Sequence, residues 1–113
     1  PLFVPLVENG HISSKMAYLA AEEYLAPLKE KGVDTLILGC THYPYLISSL
    51  SRYLKSDIFI DPAKIFVEFL KEKIQLNDSG NVGSEEFYVS ATPELFVKNA
   101  KLFYNVKSLP NLV

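Results

Sequence analysis

Between Val33 and Pro44 the chain changes from an apolar run to a helix start, and few folds accommodate that change. Val33 to Leu38, interrupted only by Asp34 and Thr35, predicts a short strand buried on both faces, the pattern of a parallel sheet. Gly39 ends the run. Pro44 suits the first position of a helix, where a missing N–H costs nothing, and Leu46, Ile47, Leu50, Tyr53 and Leu54 continue as one helical face. A strand that feeds directly into a helix points to the α/β class. It also places Cys40 at the elbow, beyond the carboxyl end of a strand, where open parallel sheets bind ligands.

The rest of the chain keeps the same alternation. Leu2 to Val7 is apolar, but Pro5 argues against a central strand, so it reads as an extended or loop segment before Glu8-Asn9-Gly10. Ser13 or Ser14 caps a helix carrying Ala17, Ala20, Ala21, Tyr24 and Leu28 on one face; Pro27 kinks it or starts a second helix, and Gly32 suits its stop. Ile58 to Ile60 predicts a second short buried strand. Asp61-Pro62 reads as cap plus first helical residue, leading into an apolar stripe of Ile65, Phe66, Phe69, Leu70 and Ile74. Residues 75–85 are polar and glycine-containing, a loop and the best candidate linker. Glu86 to Ser90 is β-prone. Thr92-Pro93 repeats the cap-and-proline device before a helical face of Phe96, Ala100, Phe103 and Tyr104, and the tail from Val106 reads as irregular. The sum is α/β, with a mostly parallel sheet flanked by helices.

Composition excludes several classes. A chain of 113 residues, 49% apolar and 21% charged, has the balance of a folded domain. Its net charge of −2 gives no basic footprint for nucleic acid. No apolar stretch approaches the roughly 20 residues that span a bilayer. A single cysteine cannot form an internal disulfide, which suits a reducing cytoplasm, and no signal peptide is recognisable. The first residue is Pro1 and the only methionine, Met16, falls inside an expected helix, so the chain is expected to be part of a longer protein. An active site would then be divided between this piece and the remainder.

The elbow concentrates the reactive groups. A thiol at a helix start with little apolar cover is a nucleophile or acid/base candidate, and the same N–H groups can hold a carboxylate. A lone cysteine at a strand end is otherwise a small buried apolar residue. Gly39 before it and Thr41-His42 after it favour chemistry, since neither improves a core and both help a ligand approach. Zinc is the weaker alternative, because Cys40 and His42 are too closely spaced for a usual finger and His11 is the only other imidazole. His42 reads as a general acid/base or a partner of the thiolate, or as a ring that satisfies backbone groups at the elbow. Thr41 caps the helix, donates to a substrate carboxylate, or does both. Glu8 reads first as a solvated loop carboxylate, Asp61 as a cap, and Tyr43 and Tyr45 as packing residues.

Three stretches carry a family resemblance: Pro1 to Glu8, Glu23 to Leu28 and, above all, Asp34-Thr-Leu-Ile-Leu-Gly-Cys-Thr-His-Tyr-Pro44. They resemble the C-terminal half of bacterial glutamate racemases, within the aspartate/glutamate racemase superfamily. The resemblance implies a cofactor-independent isomerase of the cytoplasm that interconverts L- and D-glutamate and supplies D-glutamate to peptidoglycan. It also implies two cysteines, one from each of two similar α/β lobes that face a shared cleft. Cys40 matches the second of them, Thr41 a position that helps bind the substrate carboxylate, His42 a histidine that assists this cysteine, and Glu8 a glutamate on the same side. Asn9 departs from the pattern, where a second acidic residue is frequent. No second cysteine and no N-terminal Asp-Ser motif are present, so the resemblance implies that the first lobe lies elsewhere. It assigns residues 1–60 to the second lobe and 61–113 to a segment that returns to complete the first. Apolar faces after about Asp61 would then lack their partner, and a homo-oligomer or segment swap is expected. A racemase acting on aspartate or a hydantoin is one alternative. A non-catalytic α/β interaction module with a structural Cys40 is the other.

Overall fold

The computed structural model describes residues 1–74 and 83–113 and separates into two compact units, Pro1–Leu76 and Asn77–Val113. The loop expected over 75–85 lies outside the described residues except for 83–85, which have no regular secondary structure.

Small residues and two glycine stops shape the first unit. Helix α1 spans Phe3–Glu8, where an extended segment was expected. Pro5 is its third residue, inside the first turn, where N–H groups have no helical acceptor and their loss costs nothing. Phe3, Leu6 and Val7, spaced i, i+3 and i+4, are buried. Gly10, at φ +72°, ends the helix: its N–H donates to Val7 O (2.9 Å) and that of His11 to Leu6 O (2.7 Å). This is the paired bonding of a glycine helix stop in left-handed backbone.

Helix α2, Lys15–Glu30, starts where Ser14 Oγ accepts the Ala17 N–H at 3.2 Å. It continues through Pro27 to Glu30 as one helix. The same glycine device ends it, with Gly32 at φ +65° and bonds from Gly32 N–H to Lys29 O (3.0 Å) and from Val33 N–H to Leu28 O (3.3 Å). Ala17, Ala20, Ala21 and Leu25 form its buried face. Three alanines on that face let a neighbouring backbone approach closely.

Strands β1, Leu36–Ile37, and β2, Phe59–Ile60, pair in parallel, Leu36 opposite Phe59 and Ile37 opposite Ile60. A bond from Leu38 N–H to Ile60 O at 2.9 Å extends the ladder. The expected strand over Val33–Leu38 is therefore shorter, and it is not buried on both faces. Leu38 is buried, but Ile37 is 63% exposed, because this sheet is two strands wide and its outer face has no cover among the described residues. Between the strands runs a 3₁₀ turn, Tyr43–Leu46, with Pro44 as its second residue, and then helix α3, Ile47–Leu50. One continuous helix from Pro44 to Leu54 was expected. Leu46, Leu50 and Leu54 nonetheless point inward together, and Ser49 Oγ donates to Ile12 O at 2.6 Å.

Helix α4, Pro62–Lys73, begins with the Asp61 carboxylate accepting the Ala63 N–H at 3.0 Å. Its stripe is uncovered: Ile65, Phe66, Phe69 and Ile74 are exposed, and the rings of Phe66 and Phe69 stack at 6.4 Å. Among the described residues, no helix is long and apolar enough to cross a membrane.

In the second unit β3, Tyr88–Val89, pairs in parallel with β4, Asn111–Leu112. The tail is thus not irregular throughout. Buried Val106 and Pro110 lead into it, and its ladder bonds run from Asn111 N–H to Phe87 O (2.8 Å) and from Val113 N–H to Val89 O (2.9 Å). Helix α5 spans Pro93–Ala100, so Phe103 and Tyr104 lie beyond its end. Thr92 precedes it at φ +40° without a side-chain cap, since the capping geometry needs extended backbone. Tyr88 donates to Glu86 at 2.6 Å and Tyr104 donates to Glu85, and each bond raises the phenol's pKa above its ordinary value. Both sheets are parallel and flanked by helices, as the α/β reading expected.

Candidate active site

Cys40, Thr41 and His42 occupy the link between β1 and the 3₁₀ turn, and α1 delivers Glu8 to the same place. The link is held by Leu38 O, which accepts the Cys40 N–H at 2.8 Å, and by Cys40 O, which accepts the Tyr43 N–H at 3.1 Å. His42, not Thr41, stands at the cap position of the turn, and neither side chain caps it. The capping role considered for Thr41 is therefore not the one it has. Nor does Cys40 open a long helix, because the next element is one short turn.

The imidazole joins the other groups. His42 Nδ1 lies 3.9 Å from Cys40 Sγ and 3.4 Å from Thr41 Oγ1, and its Nε2 lies 3.5 Å from Glu8 Oε1. Glu8 is the last residue of α1, and its side chain is 59% exposed yet faces a partner, so it is more than a solvated loop carboxylate. His42 lies against the side chains of Cys40, Thr41 and Glu8. An Nε2–H directed at Glu8 leaves the lone pair on Nδ1, facing the thiol and the Thr41 hydroxyl. That single lone pair accepts from one of the two at a time, so the thiol can use it when the Thr41 hydroxyl turns elsewhere. Cys40 is half-buried and is the chain's only cysteine.

The Glu8–His42 contact does not hold this arrangement by itself. Side chains 59% and 32% exposed place it among surface pairs, worth about 0.2–1 kcal/mol. Beside it, Phe3 meets Tyr43 edge-on at 5.4 Å and Tyr24 at 5.1 Å, and Leu2 N–H donates to the Tyr24 hydroxyl at 3.3 Å. Edge-to-face rings contribute about 0.5–1.5 kcal/mol each beyond their burial. Tyr43 packs as its residue type predicts, and it is the helical, not extended, backbone of residues 3–8 that brings it against Phe3. The i, i+3, i+4 spacing of Phe3, Leu6 and Val7 was the signal that could have found it. Asp61 serves as a helix cap, remote in role from this cluster. Among the described residues, no group of three or more His, Cys, Asp or Glu side chains is arranged to hold a metal.

No family model matches the chain. Individual relatives do: glutamate racemase from Trichodesmium erythraeum (strain IMS101) is 41% identical over 100 residues, 85% of this chain and 37% of that protein. Glutamate racemase from Thermoanaerobacter sp. (strain X514) is 38% identical over 111 residues, 95% of this chain and 42% of that protein. Among solved structures, glutamate racemase from Francisella tularensis in complex with D-glutamate superimposes with a TM-score of 0.78 at 33% identity, over 100% of this chain and 44% of that one. This chain is a homologue of the C-terminal region of glutamate racemases. Glutamate racemase from Thermus thermophilus, in complex with β-chloro-D-alanine, agrees, with a TM-score of 0.79 at 32% identity over 99% of this chain and 45% of that one. The chain thus spans about two fifths of the length of the racemases it matches, and its α/β architecture is that of the corresponding part of a glutamate racemase.

Proposed function

We propose that this chain forms one wall of the active site of a cytoplasmic glutamate racemase, which supplies D-glutamate for peptidoglycan. The observation that carries the reading is the Glu8–His42–Cys40 cluster at the end of a strand, in a chain similar to glutamate racemases over almost all of its length. Inverting Cα requires a base on one face and an acid on the other. Cys40 supplies one of these groups. The opposing cysteine belongs to the other lobe, in the part of the racemases' length that these residues do not span.

Each residue then has a defined task. In the direction that removes the α-proton on this side, His42 Nδ1 takes the Cys40 proton, and the thiolate abstracts the hydrogen from Cα. Glu8 accepts the Nε2–H of His42 and stabilises the imidazolium that forms. In the reverse direction the Cys40 thiol returns a proton to the planar carbanion. The Thr41 hydroxyl, exposed beside the imidazole, donates to the substrate carboxylate. Incubating the two-lobed protein with L-glutamate in ²H₂O, without added cofactor, is expected to yield D-glutamate carrying deuterium at Cα. Absence of D-glutamate, or dependence on added pyridoxal phosphate, would overturn the reading.

The exposed stripe on α4 supports a second element of the proposal, that residues 61–113 complete the other lobe. A chain of 113 residues by itself self-associates through that stripe and does not racemise glutamate. Sedimentation of the isolated chain as a well-folded monomer would count against this.

A further inference from the structure

We infer that Phe3 and Tyr43 are positioning residues that set the Glu8–His42 contact, an inference that rests on the assignment of those two residues to the site. The four residues form a closed ring of links. Phe3 and Glu8 are the first and last residues of α1, and His42 and Tyr43 are consecutive in the elbow. At one end of the ring the carboxylate meets the imidazole at 3.5 Å; at the other the phenyl ring meets the phenol ring at 5.4 Å with an interplanar angle of 84°. Helix α1 is therefore fastened to the elbow at two points. Leu6 and Val7 bury the middle of α1, and loss of the aromatic contact frees its first turn, so that the helix tilts about them and carries Glu8 away from Nε2.

Burial distinguishes the two fastenings. Phe3 is 7% exposed, wedged between Tyr43 of the elbow and Tyr24 of α2. Glu8 and His42 stand at the surface and are screened by water and salt. The aromatic contact is the firmer one, so together with buried Leu6 and Val7 it sets the tilt of α1 and with it the reach of the carboxylate. Tyr24 extends the support, because its hydroxyl accepts the Leu2 N–H at the residue preceding α1. The consequence is a bias in the imidazole tautomer, with Nε2–H favoured toward Glu8 and the lone pair toward the thiol.

Nitrogen-15 spectra of the His42 ring in the two-lobed protein test this, because tautomer populations report the Glu8 contact and not general packing. Glu8→Gln is expected to shift the ratio of Nε2–H to Nδ1–H tautomers by about twofold to fivefold, the range that an exposed pair supports. Phe3→Leu should shift it in the same direction, and adding it to Glu8→Gln should change little further. Tyr43→Phe keeps the ring and should leave the spectrum as it was. Tyr43→Leu approaches the same contact from its half-buried side and carries the test if Phe3→Leu fails to fold. An unchanged His42 spectrum in a folded Phe3→Leu or Tyr43→Leu protein overturns the inference, as does full additivity with Glu8→Gln. Failure of the racemase reading would show separately, as absence of D-glutamate formation by the unsubstituted protein.

Discussion

Replacing Cys40 by alanine in the two-lobed protein is expected to slow racemisation of glutamate by about 10²- to 10⁴-fold, the usual contribution of a positioned acid/base group. The loss should appear in both directions, since a two-base inversion needs this thiol as base in one and as acid in the other. Cys40→Ser should be nearly as impaired, because a hydroxyl gives up its proton far less readily than a thiol at neutral pH. Circular dichroism of the reaction mixture measures both directions. A variant retaining more than about a tenth of the rate would assign the chemistry to another group. The same sulfur allows a binding check, since either enantiomer of glutamate should slow its alkylation in the intact cleft.

Leu46→Ala is expected to be the costliest of the core truncations, at about 2–5 kcal/mol, set against about 5–15 kcal/mol for a whole domain. Leu46 is 0% exposed and belongs to the 3₁₀ turn that directly succeeds His42. The turn packs against α1 and α3, so the vacated space lies between elements that hold one another in place. Urea unfolding of the substituted and parent chains gives the difference through the midpoint at constant slope. A loss below about 1 kcal/mol would mean that the surroundings collapse into the gap.

Features governed by neighbours in sequence were legible. Ser14, Gly32, Asp61 and Pro62 act where side chains and backbone angles a few residues apart decide the outcome, and all four play the expected part. Pro5 misled because its effect depends on its place within a helix, and a first-turn proline is harmless. Strand length was not legible either, since Val33 and Ile37 differ in cover only through what the rest of the chain puts against them. Thr92 could not be distinguished from Asp61 by residue type, although its left-handed backbone prevents the same cap. Within the site, Cys40 and His42 stood out by adjacency. Glu8 became a partner only through the path of α1 back to the elbow, and the family resemblance pointed to it where no local pattern did.

The distance along the chain between Glu8 and His42 also sets a thermodynamic order of assembly. Bringing two points 34 residues apart (42 − 8) into contact costs about 3 kcal/mol of loop-closure entropy. Their exposed pair returns at most about 1 kcal/mol, so it cannot draw the loop shut. Burial of Phe3, Leu6, Val7, Leu46 and Leu50 does that. The Glu8–His42 contact accordingly depends on the core for its existence, and it should disappear together with the core in a single cooperative step.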